Sequence, residues 1–321
     1  MSTTPIWDLS KVEVSYDVEQ HSIAALDSVS LRVQGGGRVL GVVGESGSGK
    51  TTLGLGMMNL IEPPGRISGT IEYNGKNVLS MTKEELQKYR WEEVSMVYQS
   101  AMNSLNPVKS ISDPIMEVLM QHRMMTKEEA RDNTLSLLTS VGIKADRAND
   151  YPHEISGGMR QRVVIALALA LSPKLLIADE PTSALDVVIQ RQILSLLSRE
   201  KAQRKLSMLF ITHEIALLSE FADDAIVMYA GEIVEHGPLE KLLSEPLHPY
   251  TEMLLDTALT LDSGLSRLQA KKTLAEPNDA LPQSACKYAN RCKYAFDRCR
   301  SERPRLKVKS EGRWVACHKH D

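Results

Sequence analysis

Val39-Leu40-Gly41-Val42-Val43 runs directly into Gly44-Glu45-Ser46-Gly47-Ser48-Gly49-Lys50-Thr51, and this stretch decides the fold. A short, almost unbroken apolar run is what a strand buried on both faces of a parallel sheet requires. The eight residues after it satisfy G-x-x-x-x-G-K-[ST] in full. Glycines at these positions let the backbone curl so that its amides face phosphate oxygens, and the N-terminus of a following helix adds positive potential. Lys50 would reach the terminal phosphates, the Thr51 hydroxyl would face Mg²⁺, and Thr52 follows in the first helical turn. The helix is predicted over Ser48 to Leu60, stopped by Pro63-Pro64-Gly65.

Working outward, Val12, Val14 and Tyr16 alternate with polar residues, as do Val29, Leu31 and Val33, and both read as strands. Gly35-Gly36-Gly37 is a turn. Residues 67–79 return to strand periodicity, with Asn74-Gly75 as a hairpin turn. From about Thr82 to Lys205 the pattern is mostly helical, interrupted by β-like runs at Val94 to Tyr98 and Lys174 to Ala178. Asp186 is a candidate cap for a helix over 186–204, with Ile189, Ile193, Leu196 and Leu197 on one face. Met208 to Ile211 and Ala225 to Met228 are further short strands, and His248 to Thr257 a further helix. Strands alternating with helices predict a mixed α/β core.

The 321 residues carry 38 Lys and Arg against 41 Asp and Glu, a net charge of −3, so a surface devoted wholly to nucleic acid is excluded. Aromatics at 5% argue against a stacking platform for single strands. No apolar run approaches the length of a membrane span, and the N-terminus lacks a signal-peptide core, which predicts a cytoplasmic chain. All four cysteines, Cys286, Cys292, Cys299 and Cys317, fall in the last 36 residues. In a reducing compartment that clustering favours a bound metal or cluster over disulfides. Between Ala285 and Asp321 there are 11 Lys and Arg against 4 Asp and Glu, an excess suited to a solvated face or to an acidic partner.

Leu175-Leu176-Ile177-Ala178-Asp179-Glu180 reads as a buried strand ending in two acids. Beside a phosphate loop, Asp179 suits Mg²⁺, and Glu180 suits the orientation or deprotonation of an attacking water.

With these motifs, Ile155-Ser156-Gly157-Gly158-Met159-Arg160-Gln161-Arg162 resembles the signature of the ABC ATPases. Gln99 resembles their glutamine loop, Ser183-Ala184-Leu185-Asp186 their dimer-interface loop and His213 their switch histidine. Tyr16 stands where the family stacks an aromatic on adenine. The resemblance covers residues 10–240. It implies a RecA-like P-loop α/β nucleotide-binding domain over 1–245, with an antiparallel β subdomain and a helical insertion at about 104–165. It implies ATP and Mg²⁺ as ligands, with Mg²⁺ held through Thr51, Gln99 and Asp179. It also implies a head-to-tail dimer in which Ser156, Gly157, Gly158, Met159 and Gln161 of one subunit complete the site of the other.

Leu105-Asn106-Pro107, Tyr151-Pro152-His153-Glu154 and Met159 narrow the resemblance to the oligopeptide/dipeptide importer ATPases, of the D-subunit type. That family implies a regulatory or docking domain over 246–321 whose cysteines hold a [4Fe–4S] cluster. The four thiols themselves leave zinc or uncoordinated cysteines open. Expected partners are two transmembrane permeases, a second, non-identical ATPase and, indirectly, an external solute-binding protein, at the cytoplasmic face of the membrane. Imported solutes could be peptides, nickel chelates or oligosaccharides. Ser100-Ala101 and Glu214 depart from the usual Asp-Pro and aspartate. The competing expectation is a soluble ABC ATPase of nucleic-acid repair or translation that uses the basic cysteine tail.

Overall fold

The computed structural model describes residues 5–18, 21–99, 104–183, 185–262 and 282–321. In chain order the strands and helices are β1 (Trp7–Val18), β2 (His21–Val33), β3 (Val39–Val43), α1 (Lys50–Met57), β4 (Gly65–Tyr73) and β5 (Lys76–Asn77). Then come α2 (Lys83–Lys88), β6 (Val94–Val97), α3 (Asp113–Arg123), α4 (Lys127–Ser140), α5 (Gly157–Leu169), β7 (Leu175–Asp179) and α6 (Val187–Arg204). The remainder are β8 (Ser207–Thr212), α7 (Ile215–Leu218), β9 (Asp224–Tyr229), β10 (Glu232–Pro238), α8 (Leu239–Ser244), α9 (Pro249–Asp262), α10 (Asp297–Ser301), β11 (Lys307–Ser310) and β12 (Arg313–Val315).

Two compact units share the chain. The first takes the N-terminal residues to Ile6, Gln34–Arg38 and Val78–Phe210; the second takes Trp7–Val33, Val39–Asn77 and Ile211–Asp321.

In the first unit β6 pairs in parallel with β7, in register from Val94 opposite Leu175 to Val97 opposite Ala178. Every residue of β7 is buried, which explains its unbroken apolar reading. Over the stretch expected to be a helical insertion, about 104–165, lie α3, α4 and most of α5. Thr82 and Thr126 each form a reciprocal capping box, with Glu85 and Glu129, at the starts of α2 and α4. Asp186 caps α6 by accepting from the Ile189 amide at 3.0 Å, and Lys205 ends that helix in a left-handed conformation. Ile193, Leu196 and Leu197 are buried as expected, whereas Ile189 is half-buried.

The second unit contains an antiparallel sheet ordered β2-β1-β4-β5 and a run of strands ordered β11-β12-β10-β9-β3. Tyr73 pairs with Lys76 across Asn74-Gly75, whose positive φ values of 49° and 79° make the tight turn that two-residue hairpins favour. Trp7, Leu9, Val12, Leu26 and Ile71 are buried in the core of this sheet. β3 pairs in parallel with β9 and ends at the glycine loop. The helix after that loop is shorter than Ser48 to Leu60: Gly49 at φ 100° stays in the loop and Asn59 turns left-handed at φ 51°.

Pairing at the other edge was not anticipated. β10 has β9 on one side and β12 on the other, so a strand from the cysteine-bearing segment extends the same sheet. His236 stacks on Trp314 where they pair, with ring centroids 4.7 Å apart. Residues 263–281, between α9 and the cysteine-bearing segment, lie outside the described residues.

Candidate active site

The glycine loop folds around its own lysine. Lys50 is 5% exposed, and its Nζ donates to the carbonyls of Gly44 at 2.8 Å and Glu45 at 2.9 Å. Two glycines have no room for a side chain: a Cβ on Gly44 would lie 2.2 Å from the Met228 carbonyl, and one on Gly49 would lie 2.4 Å from that of Ala25. Ser48 is buried, and among the described residues its Oγ has no hydrogen-bond partner. An orphaned buried hydroxyl calls for a ligand oxygen or water. Ser46, Gly47 and Thr51 are exposed, and Thr52 is half-buried. Tyr16, also half-buried, lies on β1 opposite Ile23 and Gly65. His213 follows β8, half-exposed, with Nε2 3.6 Å from Glu214 Oε1. All of these residues belong to the second unit.

The first unit holds the other half of the expected machinery. Asp179 is fully buried at the end of β7. Glu180 follows at φ 45°, a region non-glycine residues rarely occupy. The Gln99 amide donates from Nε2 to Glu180 Oε2 at 3.0 Å, joining two residues 81 positions apart. Ser183 closes the turn, its amide and hydroxyl both donating to the Glu180 carbonyl at 3.1 and 3.0 Å. The Leu185 amide donates to the Thr182 carbonyl; Ala184 lies outside the described residues, as do Ser100 and Ala101.

Ser156, exposed, caps α5 by accepting from the Met159 amide at 3.3 Å, with Gly157 as the first helical residue. Gly158 is buried because Ile189 presses on it; a Cβ there would lie 2.7 Å from Ile189 Cγ2. Gln161 is 3% exposed, and Arg147 Nη1 lies 3.5 Å from Met159 Sδ.

The four cysteines line one small, nearly closed cavity together with His248, Tyr288, Phe296 and His318. Burial, followed by a hydrogen bond to Tyr288 that opposes it and the nearness of the other three sulfurs, pushes the Cys286 thiol up to about 11. Burial likewise raises Cys292 and Cys317. The expected ligand set is not formed as such. Among the described residues no group of three or more His, Cys, Asp or Glu side chains is placed to hold a metal ion. At Cys286, Cys292 and Cys317 burial opposes the thiolate form that ligates a metal.

Sequence reasoning missed the residues that tie this segment to the glycine loop. The Glu45 amide donates to the Tyr250 hydroxyl at 2.8 Å, and both Glu45 carboxylate oxygens accept from Arg291, at 2.7 and 2.8 Å. Asp27 accepts from Lys287 and Arg303, both at 2.8 Å. Their only prior signal was the basic excess of the tail.

The ABC transporter family matches residues 26–183, and the C-terminal region of the oligopeptide/dipeptide transporter family matches 234–299. The oligopeptide transport ATP-binding protein AppD of Bacillus subtilis (strain 168) is 42% identical over 321 residues, covering 99% of this chain and 97% of its own. The dipeptide transport ATP-binding protein DppD of Escherichia coli (strain K12) is 40% identical, covering 97% of this chain and 95% of its own. Among solved structures, the dimeric ATP-binding cassette MJ0796 in a post-hydrolysis state bound to ADP and Pi matches with a TM-score of 0.65 at 28% identity, over 73% of this chain and 98% of that one. With full-length relatives at 40% identity and above, the chain belongs to the ATP-binding proteins of ABC transporters, in their oligopeptide/dipeptide group.

Proposed function

We propose that the chain is the ATP-hydrolysing subunit of a membrane importer that takes up peptides or a related solute, such as a nickel chelate or an oligosaccharide. The observation that carries the reading is the loop from Gly44 to Thr51, curled around a buried Lys50 with the Ser48 hydroxyl left for a ligand oxygen. A triphosphate entering that loop would take the Lys50 ammonium from the Gly44 and Glu45 carbonyls. Tyr16 would cover the adenine. Glu180, held by Gln99, would take the proton of the attacking water, and His213 with Lys50 would offset charge on the transferring phosphoryl group. Mg²⁺ suits the oxygen donors Thr51, Gln99 and Asp179 and would neutralise phosphate charge when bound.

The exposed Ser156 at the start of α5 is available to a second subunit. So is Asp186, the last residue of the expected interface loop, which is followed by Val187 and Val188, 64% and 65% exposed. Exposed valines at a helix start are what a dimer interface would bury. Among the described residues no helix is long and apolar enough to cross a membrane. As an ATP-binding subunit like its named relatives, the chain would act peripherally, at the cytoplasmic face, on two permeases and beside a second ATPase.

The segment 246–321 is read as a docking or regulatory domain. Its four cysteines line one cavity, and the reading kept for them is the [4Fe–4S] cluster that the family resemblance implies; bound there, the cluster would act as a structural clamp. Iron and acid-labile sulfide assayed in anaerobically purified protein would support it, and zinc at one equivalent would replace it.

The nucleic-acid alternative is corrected. The relatives named above are transport ATP-binding proteins, and most of the tail's basic residues pair with the chain's own acids. Lys287 and Arg303 pair with Asp27, Arg291 with Glu45, Lys293 and Lys319 with Glu252, and Arg298 and Lys307 with Asp321. Affinity purification from gently solubilised native membranes tests the transport reading. Two polytopic permeases and a second ATPase should co-purify. Recovery of ribosomal or repair proteins with no permease would overturn it.

A further inference from the structure

Glu45 is the second residue of the glycine loop, so it brings a negative charge into a loop read as holding a highly negative triphosphate. Left alone it would repel that ligand. It is not left alone: the Arg291 guanidinium grips both oxygens in the two-pronged geometry that gives the strongest carboxylate pairs. Arg291 is itself fixed, its side chain 11% exposed and its guanidinium 5.7 Å from the ring centres of both Tyr229 and Tyr288. Tyr229, Tyr250 and Tyr288 meet edge to face, with centroids 4.7 to 5.4 Å apart. The Tyr250 hydroxyl accepts the Glu45 amide, holding the loop backbone from a third direction. Both grips come from the C-terminal part of the chain, and Arg291 sits in the short turn between Cys286 and Cys292.

We infer that Arg291 and Tyr250 are positioning residues for the nucleotide loop, and that the Cys286–Cys292 turn thereby sets the affinity for ATP by cancelling the charge of Glu45 and holding its backbone. The inference rests on the reading of Gly44 to Thr51 as an ATP site. It makes residues 286–292 part of the nucleotide site in effect, although the motif that defines the loop lies some 240 positions away. Because Tyr288 lines the cysteine cavity as well as the aromatic cluster, a change at the cysteines would reach Glu45 through Tyr288 and then Arg291.

The test uses the full-length chain and trinitrophenyl-ATP fluorescence, with unlabelled ATP as competitor. Wild type should bind and Lys50→Ala should not; failure of wild type to bind would remove the ATP reading itself. Given wild-type binding, Arg291→Ala should weaken ATP about ten-fold, or ~1.4 kcal/mol. That loss should shrink to under about two-fold in a Glu45→Gln background, where no charge is left to cancel. Arg291→Lys, which keeps the charge but not the fork, should show a smaller loss with the same dependence on Glu45. In the assembled transporter, Arg291→Ala should raise KM for ATP with little change in kcat. Wild-type affinity in Arg291→Ala, or an equal loss with and without the Glu45 carboxylate, would overturn the inference. If the Ala variant does not fold, the same comparison made with Arg291→Lys decides the matter.

Discussion

The Gln99 side-chain amide donates to Glu180 Oε2 across 3.0 Å, and Glu180 is held at φ 45° just past the end of β7. A non-glycine residue in the left-handed region costs of order 1–3 kcal/mol and persists only where its surroundings impose it. Here the Ser183 amide and hydroxyl impose it by binding the Glu180 carbonyl, and Gln99 orients the carboxylate that results.

Replacing that carboxylate separates binding from turnover. Glu180→Gln should keep ATP affinity within about two-fold while slowing phosphate release by roughly 10²–10⁴-fold, the usual worth of a positioned general base. Single-turnover phosphate release beside nucleotide titration checks both halves. Wild-type turnover in this variant would remove Glu180 from its role.

Gly49 and Gly47 make a matched pair. Both have positive φ, 100° and 79°, but a Cβ on Gly49 strikes the Ala25 carbonyl at 2.4 Å whereas one on Gly47 meets nothing within 4 Å. Gly47→Ala should cost about 1 kcal/mol, from backbone preference alone. Gly49→Ala should cost more than twice that and abolish ATP binding, because the loop must open to admit the methyl group. Urea midpoints and nucleotide titrations on the two variants decide this; equal costs would contradict the contact.

Gly158→Ala should destabilise the first unit by about 1–3 kcal/mol, since the added methyl meets Ile189 Cγ2 at 2.7 Å. Combining it with Ile189→Ala should recover part of the loss, a coupling expected of side chains in contact. Additive losses in urea melts would mean that the two helices do not meet at this point.

Asp27 gives the C-terminal segment a pH-dependent anchor. Burial pushes its carboxyl up, but hydrogen bonds from Lys287 and Arg303 outweigh that and hold it below the ordinary carboxylate range. A folded-state value below the unfolded one stabilises at every pH above the ordinary value, and the contribution is lost as pH falls through the folded value. Asp27→Asn should therefore lower the thermal midpoint and speed proteolysis of the tail at pH 7. The difference from wild type should shrink as pH falls below the ordinary carboxylate range, through the lowered folded-state value. A pH-independent gap would mean that the charge is not what anchors the segment.

Some of this architecture was legible because local rules and tertiary demands agree. β3 and β7 are buried along their whole length, so their composition alone marks them. Asn74-Gly75 and Asp186 carry turn and cap chemistry in single residues. β10 was not legible, since Glu235 at its centre argues against a buried strand. That carboxylate is fully buried because it accepts the amides of Leu247 and His248, both at 2.9 Å, and faces Arg313 at 3.4 Å. Nothing near position 235 foretells those partners. The same holds at the site: the loop proposed to cradle phosphate is a contiguous motif, while Arg291 reaches Glu45 from 246 residues away.

The pairing of β10 with β12 sets an order of events during synthesis. β10 has β9 on one side as soon as residue 238 has emerged, but its other edge stays bare until Arg313–Val315 has left the ribosome. A bare strand edge is a template for pairing with other chains. Nascent or truncated chains that stop before residue 313 would therefore carry an open, adhesive edge, and a helper protein that shields β10 until translation passes that point would raise the yield of properly closed molecules.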